Sequence, residues 1–345
     1  MTLLFLYTEL ASYFLAGVQE LFKNGHQVHI VRWPVNREAP FQFEFPEGLW
    51  IYERNEYNNQ QLVALSKRIK PDLIIGSGWV DKGYLKVCSA FKGKVPTVMS
   101  MDNQWHGQPK QHLMRLLAPF YLHRSYSHAW VPGEPQKQYA LRLGFKDGNI
   151  QTGFYSADVG LFSSEAEVRI KAEAYPHRMI YVGRYIQAKG LDLLFKAWTE
   201  LCEELSHDWE LHCVGAGELF DQRTLHPKIK HLGFLQPAEL KANLRHAGVF
   251  VLPSRFEPWG VVVHEMAAAG FPMILSDAIG GASQFLIPGT NGYTFKNEAV
   301  LELKSALRRM ITLPDEELKK MAAASHQLGV SYTPEMWAKK VEAFL

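Results

Sequence analysis

The sequence predicts an α/β protein with two domains, each built around a parallel β-sheet with helices on its faces. Three observations support this prediction. The 345 residues are enough for two full hydrophobic cores. Apolar runs of strand length alternate with helix-like patterns through residues 1–150, which is typical of βαβ units. The same alternation starts again near residue 178, which predicts a second sheet of the same kind.

Composition and the first residues exclude several classes of protein. Hydrophobic residues make up 47% and charged residues 21% of the chain, as in globular proteins, and no apolar run reaches the ~18 residues of a membrane span. The N-terminal MTLLFLYTEL lacks the basic start and cleavage site of a signal peptide and is interpreted as a first strand. Neither metal nor disulfide spacing is found among Cys88, Cys202 and Cys213. We therefore expect a cytoplasmic protein.

The first half of the sequence predicts five strands with helices between them. The predicted strands are Leu3–Tyr7, Val28–Trp33, Leu73–Ile75, Thr97–Ser100 and Ala129–Val131. The predicted helices include Tyr13–Lys23, Gln60–Lys70 and Pro135–Leu143. Ligands of open parallel sheets bind beyond the carboxyl ends of the strands. The candidate ligand loops are therefore Thr8–Ser12, Gly76–Lys82 and Met101–Gln108.

Residues 103–133 contain no acidic residue, but they carry Lys110, Arg115, Arg124 and four histidines. Large apolar residues are interleaved with these basic ones: Trp105, Met114, Leu116, Leu117, Phe120 and Tyr121. Two interpretations stay open. The segment either faces an anionic lipid surface or a phosphorylated ligand, or forms a basic helix whose apolar residues belong to the core.

The stretch Val249–Gly270 is the most informative part of the second half. Val249–Leu252 predicts a buried strand, and a Glu257-Pro258 turn is followed by a run that ends in alanines and a glycine. The valines at Val261–Val263 favour a strand, because β-branched residues are stiff in helices. The proline near the start, the alanine run and the final glycine outweigh them, so we predict strand, loop and helix.

The start of this predicted helix is a candidate anion site. The N–H groups of Gly260, Val261 and Val262 lack partners within the helix, and such a terminus favours a phosphate or diphosphate. Glu257 and Glu265 flank it, roughly 9–12 Å apart along the helix direction. A retaining hydrolase needs carboxylates ~5–5.5 Å apart, and an inverting one ~6.5–9.5 Å. Carboxylates that bind sugar or ribose hydroxyls therefore fit this spacing better.

Glu257 and Glu265, with seven residues between them, resemble the E-x7-E signature of retaining glycosyltransferases of the glycogen-synthase-like class, family GT4. Further elements follow in that family's order: GRxxxxKG at Gly183–Gly190, GxG at Gly215–Gly217, a GF loop at Gly233–Leu235, and glycine turns beyond Gly270. Gly153, Asp158 and Phe162 occupy the places of the family's inter-domain connector. The resemblance is strong over residues 178–296 and weak in the N-terminal half.

The resemblance implies the GT-B fold, in which two Rossmann-like, doubly wound domains face a cleft and the last helix crosses back to the first domain. Residues 1–162 with 331–345 would form the acceptor-binding domain, and residues 163–330 the donor-binding domain. The implied catalytic residues are Arg184, Lys189, Glu257 and Asp102. The implied donor-binding residues are Gly183, Leu235, Pro258, Trp259, Gly260, Val261, Val262 and Glu265.

Two departures from the family pattern fall in the first half. The loop Thr8–Ser12 lacks the usual glycine pair, although Glu9 can still bind a hydroxyl or an ammonium group. The position of the family's histidine holds Asp102, which either contacts a sugar hydroxyl, deprotonates an acceptor hydroxyl, or bonds its own turn backbone. His106 can instead supply an imidazole. We expect Glu9, Asn103 and His106 on the acceptor side.

The resemblance implies retaining transfer of a sugar from a nucleotide sugar, UDP favoured over GDP, to a hydroxyl of a glycan or glycolipid. No Asp-x-Asp occurs, so Arg184, Lys189 and the helix start would replace a metal, and no cofactor is expected. Family analogy suggests bacterial surface polysaccharide synthesis in the cytoplasm, with peripheral contact with an anionic membrane and no nucleic acid. Two alternatives remain open: a GT-B phosphorylase or epimerase, and a non-catalytic nucleotide-sugar-binding subunit.

Overall fold

The computed structural model describes residues 1–8, 10–34 and 45–345, which divide into two compact units. The first unit consists of the described residues up to Ser156 together with the segment Thr333–Leu345. The second unit consists of Ala157–Tyr332. The sequence placed the boundary later, after Phe162. The boundary comes earlier because Asp158 already caps a short helix whose Phe162 is buried within the second unit.

The first unit is built on a seven-stranded parallel sheet. Its strands are β1 (Thr2–Leu6), β2 (Gln27–Arg32), β3 (Trp50–Glu53), β4 (Leu73–Ser77), β5 (Thr97–Ser100), β6 (His128–Val131) and β7 (Ile150–Thr152). Their order is β3-β2-β1-β4-β5-β6-β7, so the strand order reverses between β1 and β4. Its helices are α1 (Ser12–Lys23), α2 (Asn59–Ile69), α3 (Lys82–Phe91), α4 (Pro109–Tyr121), α5 (Glu134–Arg142) and the C-terminal α14 (Pro334–Glu342).

Helix α14 packs against α1 within the first unit. Trp337 donates its indole N–H to the Phe154 carbonyl at 2.8 Å, and its ring meets Phe14 edge to face with centroids 5.7 Å apart. Gly17 makes room for this ring, because a Cβ there would lie 2.4 Å from it. Aromatic pairs of this kind add about 0.5–1.5 kcal/mol beyond their buried area. The prediction that the last helix packs on the first domain is confirmed.

The second unit is built on a six-stranded parallel sheet. Its strands are β8 (Arg178–Val182), β9 (Glu210–Val214), β10 (Ile229–Gly233), β11 (Val249–Leu252), β12 (Met273–Ser276) and β13 (Gly292–Phe295), in the order β10-β9-β8-β11-β12-β13. Its helices are α6 (Val159–Phe162), α7 (Ala166–Ile170), α8 (Leu191–Glu204), α9 (Pro237–Leu244), α10 (Val261–Ala268), α11 (Ala282–Phe285), α12 (Val300–Ile311) and α13 (Asp315–Gly329).

The segment after β11 is a helix, as predicted, despite its three valines. Helix α10 buries Val263, Met266 and Ala268 inside the second unit. Helix α13 approaches α10 closely, since a Cβ on Gly329 would lie 2.1 Å from the Ala268 nitrogen. Burial against neighbouring elements contributes more to such a short helix than intrinsic propensity does, so packing outweighs the β-branched residues.

One fully buried arginine, Arg169 on α7, ties several elements of the second unit together. Its guanidinium donates to four backbone carbonyl oxygens, those of Glu165, Leu244, Ala247 and Ala269. Its charge also lies 3.5 Å from the centroid of the Phe271 ring. Burial lowers the pKa of Arg169 to about 10, so the group stays charged at neutral pH. The cation thereby stabilises the carboxyl ends of α9 and α10.

The basic segment of the first unit forms α4, whose outer apolar residues are not core residues. Ala118 of this helix is buried, whereas Leu116 and Phe120 are 71% and 70% exposed. Met114 does pack against the core of the first unit. The core interpretation is therefore right for Met114 and wrong for Leu116, Leu117 and Phe120. Within the described ranges, no helix has the length and apolar character needed to cross a membrane.

Candidate active site

The loops that follow β8, β9 and β10 lie side by side at the carboxyl edge of the second sheet. The Gly183 N–H donates to the Val214 carbonyl at 3.0 Å, and the Gly215 N–H donates to the Gly233 carbonyl at 2.7 Å. A Cβ on Gly215, whose φ is +139°, would lie 1.8 Å from the Gly183 oxygen, so the loops touch through their backbones. Gly183 and Leu235 of the predicted donor group are thereby brought to one edge, where such sheets bind ligands.

Lys189 and Glu257 form an ion pair at this edge. The Lys189 Nζ donates to the Glu257 Oε2, and their side chains are only 16% and 12% exposed. Lys189 ends a single 3-10 turn after β8, and Glu257 follows β11, which neighbours β8 in the sheet. The attraction between two charges that are largely buried is screened less by salt and water than that of a surface pair, so each group holds the other in position. Two residues predicted to be catalytic are therefore in direct contact.

Arg255 links the loop after β11 to the turn that ends at Lys189, although no sequence pattern pointed to it. Its backbone N–H donates to the Ala188 carbonyl at 2.8 Å, and its guanidinium donates to the Gln187 carbonyl at 3.0 Å. Two further N–H···O bonds of 2.7 and 2.6 Å reach the Asp192 carboxylate. Such a bidentate pair restrains geometry as well as adding energy. Arg255 therefore positions the turn that carries Lys189.

The helix start predicted as an anion site lies against Glu257. Gly260 precedes α10 in the left-handed region, with φ +81° and ψ +74°, and a Cβ there would lie 2.9 Å from the Glu257 Cγ. The Gly260 carbonyl accepts the Val263 N–H at 2.9 Å. The N–H groups of Val261 and Val262 thus precede the first hydrogen bond of the helix, as donors that a bound anion can use.

Pro258 and Trp259 follow Glu257 in the loop after β11, and Pro258 is half-buried. The Trp259 ring is buried and meets Phe285 edge to face, with centroids 6.5 Å apart. The Trp259 carbonyl accepts the Gly281 N–H at 2.7 Å, which joins this loop to the one after β12. The Trp259 ring therefore packs inside the second unit and is not a surface on which a ligand can stack.

Glu265 lies half-buried on the second turn of α10. Burial, and secondly the negative charge of Asp158, raise the pKa of its carboxyl to about 7. At neutral pH the carboxyl is therefore about half protonated and can donate as well as accept a hydrogen bond. A carboxyl with such a shifted pKa beside an anion-binding helix start is a candidate ligand-binding group.

The buried His264 anchors the helix that carries Glu265. Its Nδ1 accepts the Ala157 N–H at 3.0 Å, so its Nε2 carries the proton and donates to the Gly329 carbonyl at 2.8 Å. Burial lowers the pKa of His264 to about 4, so the ring is neutral at pH 7. The imidazole thus links the first residue of the second unit and the end of α13 to α10. A lone histidine in an apolar helix has no sequence pattern that reveals this role.

Arg184 has its side chain on the solvent side of the same edge. The side chain is exposed, and the Arg184 carbonyl accepts the Tyr181 hydroxyl at 2.9 Å. It follows Gly183 directly and precedes the turn that carries Lys189. Arg184 therefore adds positive charge at the mouth of the site, where it attracts anionic ligands.

The first unit has an open groove of about 800 Å³ at the carboxyl ends of its strands. The groove is lined by Thr8 after β1, by Gly78 after β4, by Met101 after β5, and by residues of α4. It therefore lies where the strand order reverses, the usual ligand position in a doubly wound sheet.

Asp102 and three tyrosines form one polar corner of this groove. The Tyr155 hydroxyl donates to the Asp102 Oδ2 at 3.1 Å, and the Tyr13 and Tyr155 rings meet edge to face with centroids 5.7 Å apart. Burial above all, and the negative charge of Asp102, raise the pKa of Tyr155 and of Tyr7. Both hydroxyls are therefore protonated at neutral pH and act as hydrogen-bond donors beside a carboxylate.

The other acceptor-side candidates are not all brought to the groove. Asn103 is exposed and lines it. His106 is exposed and is not one of the lining residues, and its backbone N–H donates to the Gln111 side chain at 2.8 Å. Glu9 lies outside the described residues.

The cysteines are free thiols, and two of them, Cys88 and Cys213, are buried. Burial raises the pKa of the Cys88 thiol to about 12, so it behaves as a small apolar side chain at neutral pH. In the part of the chain that the structure describes, no three His, Cys, Asp or Glu side chains cluster as metal ligands would.

Comparisons with known proteins point to one family. Residues 164–327 match the model of the family described as glycosyl transferases group 1. The chain is 32% identical over 160 residues to the glycogen synthase of Mycobacterium tuberculosis, covering 44% of this chain and 38% of that protein. It is 26% identical over 303 residues to the D-inositol 3-phosphate glycosyltransferase of Nocardiopsis dassonvillei, covering 79% of this chain and 69% of that protein.

Solved structures extend the likeness to the whole fold. The HepE protein of Anabaena, solved in complex with UDP and glucose, superposes with a TM-score of 0.72 at 15% identity, covering 99% of this chain and 98% of that one. This likeness confirms the predicted GT-B fold class. The relatives at 32% identity are matched over 30% to 38% of their own length. The matched residues 164–327 include the sheet and loops that hold Lys189 and Glu257, so it is the second unit of this chain that is similar to the group 1 glycosyltransferases.

Proposed function

We propose that this protein is a retaining glycosyltransferase that moves a sugar from a nucleotide-sugar donor to a hydroxyl group of a glycan or glycolipid. The observation behind this proposal is the Lys189–Glu257 pair at the start of α10, with Glu265 on the next turn. A cation, a helix start and two carboxylates fit a ligand whose diphosphate lies between two hydroxyl-rich groups. A nucleotide sugar has this chemistry.

Binding of the donor would rearrange the charges of the site. Its diphosphate competes with Glu257 for the Lys189 ammonium group and also accepts the N–H groups of Val261 and Val262. The released Glu257 carboxylate then accepts hydrogen bonds from the donor sugar, while Glu265 accepts them from the ribose. The cations and amide dipoles supply the positive charge that a metal ion provides elsewhere, so we propose transfer without a metal.

The transfer breaks the bond between the anomeric carbon and a diphosphate oxygen, and it forms a bond from that carbon to the acceptor oxygen on the same face. The acceptor proton passes to the departing diphosphate. Lys189 and the amides of α10 stabilise the charge that develops there, at about 1.5–3 kcal/mol for each charge-assisted hydrogen bond. This route requires no nucleophile from the protein.

The donor and the acceptor are proposed more specifically as follows. UDP is favoured over GDP, a choice supported by the complex of the similarly folded HepE protein with UDP and glucose. The acceptor hydroxyl would enter the groove of the first unit and meet Asp102 and Tyr155. By family analogy, the setting would be bacterial surface polysaccharide synthesis in the cytoplasm, at the inner face of the membrane.

A panel of UDP-, GDP- and ADP-sugars, with and without EDTA, tests this proposal by thermal shift and by donor hydrolysis. We expect one nucleotide sugar to raise the melting temperature and to be hydrolysed slowly whether or not EDTA is present. Glu257→Gln should slow this hydrolysis tenfold or more, since it loses charge-assisted hydrogen bonds of ~1.5–3 kcal/mol. Glu203→Gln, an exposed change on α8, is the matched control.

Other outcomes would redirect the assignment. Stabilisation without any turnover would indicate a non-catalytic binding subunit. Cleavage of a glycan by inorganic phosphate would indicate a phosphorylase, and interconversion of the donor sugar an epimerase. If no nucleotide sugar stabilises the protein, the proposed donor site is wrong.

We expect donor binding to weaken as the pH falls through about 7, because Glu265 must be ionised to accept two hydroxyl hydrogen bonds. Its pKa is raised to about 7 in the free protein, so donor binding releases a proton and affinity rises with pH through that value. Between about pH 8 and pH 6 the ionised fraction falls roughly tenfold, and the dissociation constant should rise by about the same factor. Calorimetry in buffers of different ionisation enthalpy measures both effects.

Glu265→Gln provides the control for this pH dependence. The variant should bind the donor more weakly at pH 8, with no change in affinity between pH 8 and pH 6. The neighbouring His264 has a pKa of about 4 and stays neutral over this range. A wild-type protein whose affinity is constant across the range would show that Glu265 does not bind the ribose as a carboxylate.

A further inference from the structure

Helix α4 of the first unit turns its larger apolar side chains outward. Leu113 lies three and four residues before Leu116 and Leu117, and these lie four and three residues before Phe120, so the four residues share one side of the helix, which we call the α4 face. All four are exposed, as is Tyr121 at the end of the helix. The opposite side holds the buried Ala118. This arrangement reverses that of an ordinary surface helix, whose apolar stripe faces the core.

The charges that α4 and the residues flanking it in the chain carry have one sign. Lys110, Arg115 and Arg124 are exposed around it, together with His112. The sequence contains no acidic residue from Asn103 to Gly133. A convex apolar stripe with a basic rim combines the two attractions that hold a helix on an anionic bilayer, burial of apolar side chains and contact with acidic headgroups.

The α4 face is continuous with the groove of the first unit. Lys110, Leu113 and Leu117 belong to the face or its rim and also line the groove. Val80, another exposed apolar residue, lines the groove as well. A molecule that extends from a surface in contact with the α4 face would therefore meet the groove directly.

We propose that the α4 face binds the surface of an anionic lipid bilayer and that the groove receives an acceptor held in that bilayer. The binding of the bilayer stands by itself, whereas the lipid-held acceptor rests on the proposed transferase function. A second copy of this chain is a poorer occupant, because a symmetric contact through the α4 face brings two rims of the same positive charge together. A bilayer supplies negative charge and accepts apolar side chains without a shaped pocket.

Flotation with lipid vesicles tests the proposal. The full chain should float with vesicles of phosphatidylcholine containing phosphatidylglycerol, and not with vesicles of phosphatidylcholine alone. Leu116→Glu combined with Phe120→Glu should reduce the bound fraction at least tenfold, as should Arg115→Glu combined with Arg124→Glu. Added salt should weaken the binding of the wild type. The matched control is Leu301→Glu, which changes an exposed leucine on α12 of the second unit and should leave flotation unchanged.

Three results would overturn the proposal: no flotation of the wild type with phosphatidylglycerol vesicles, full flotation of the α4 variants, or equal loss in the Leu301→Glu control. Sedimentation velocity without lipid tests whether the wild type is a dimer. If it is a dimer that does not bind vesicles, and Leu116→Glu with Phe120→Glu makes it a monomer, the α4 face binds a second copy of the chain instead of a bilayer. Donor hydrolysis by water should be the same in wild type and α4 variants. Loss of hydrolysis in every protein would count against the transferase and leave the vesicle result standing.

Discussion

Lys189→Ala is expected to slow glycosyl transfer by about 10²–10³-fold, the largest functional effect predicted for this protein. The ammonium group is oriented by Glu257 and by the turn that Arg255 binds. When the diphosphate takes the place of Glu257 as its partner, the ammonium group therefore lies where negative charge develops on the leaving group. Alanine removes this charge and leaves Glu257 without its lysine partner, which adds repulsion toward the diphosphate.

Single-turnover kinetics with saturating donor measures this effect on the chemical step. Lys196→Ala on α8 is a matched control, because this lysine is exposed and should leave the rate within twofold of the wild type. Because Lys189 and Glu257 contact each other, the double variant should lose less than the product of the two single losses. If the transfer rate of Lys189→Ala is within threefold of the wild-type rate, the ion pair has no part in the proposed mechanism.

Arg169→Met is expected to unfold the second unit. The change removes four buried hydrogen bonds from a charged donor to backbone carbonyl oxygens, and hydrogen bonds of charged groups contribute about 1.5–3 kcal/mol each. Their sum is comparable with the total stability of a domain, about 5–15 kcal/mol. Circular dichroism and limited proteolysis should show a second unit that is cleaved at temperatures where the wild type is resistant.

Arg309→Met on α12 is the control for this loss of stability. Arg309 is exposed and its guanidinium lies 4.1 Å from the centroid of the Tyr293 ring. An exposed cation–π contact contributes about 0.5–1 kcal/mol, so this variant should melt within a few degrees of the wild type. Equal melting temperatures for Arg169→Met and the wild type would show that water replaces the guanidinium at no cost.

The core of the candidate site could be predicted because its residues lie in loops directly after strands. The GRxxxxKG and E-x7-E elements, through their resemblance to a known family, point to Lys189 and Glu257 within two short stretches of the chain. Parallel strands carry all such loops to one edge of the sheet, so the contact between the two follows from their positions. The two sheets were predictable for the same reason, since each βα unit has its own pattern.

Contacts between distant residues could not be predicted in this way. His264 bonds to a residue 107 positions earlier, and Arg169 to one 100 positions later, and no spacing rule links such partners. The exposed side of α4 was equally hidden, because a stripe of apolar residues has the same period whether it faces core or solvent. The edge strand β3 is four residues long, too short for alternation to reveal it.

The chain completes its first unit with its last helix, and this has a consequence for biosynthesis. The cavity beside Gly17 and Phe14 is filled by Trp337, which the ribosome adds after all of the second unit. At about 5–20 residues per second, the N-terminal sheet waits on the order of ten to forty seconds for this side chain. During that interval an apolar surface stays open on a nascent domain while the next one is already folding. The second unit can therefore complete its fold before the first unit does, although it is synthesised later. The exposed apolar surface of the first unit is a binding site for chaperones during this interval.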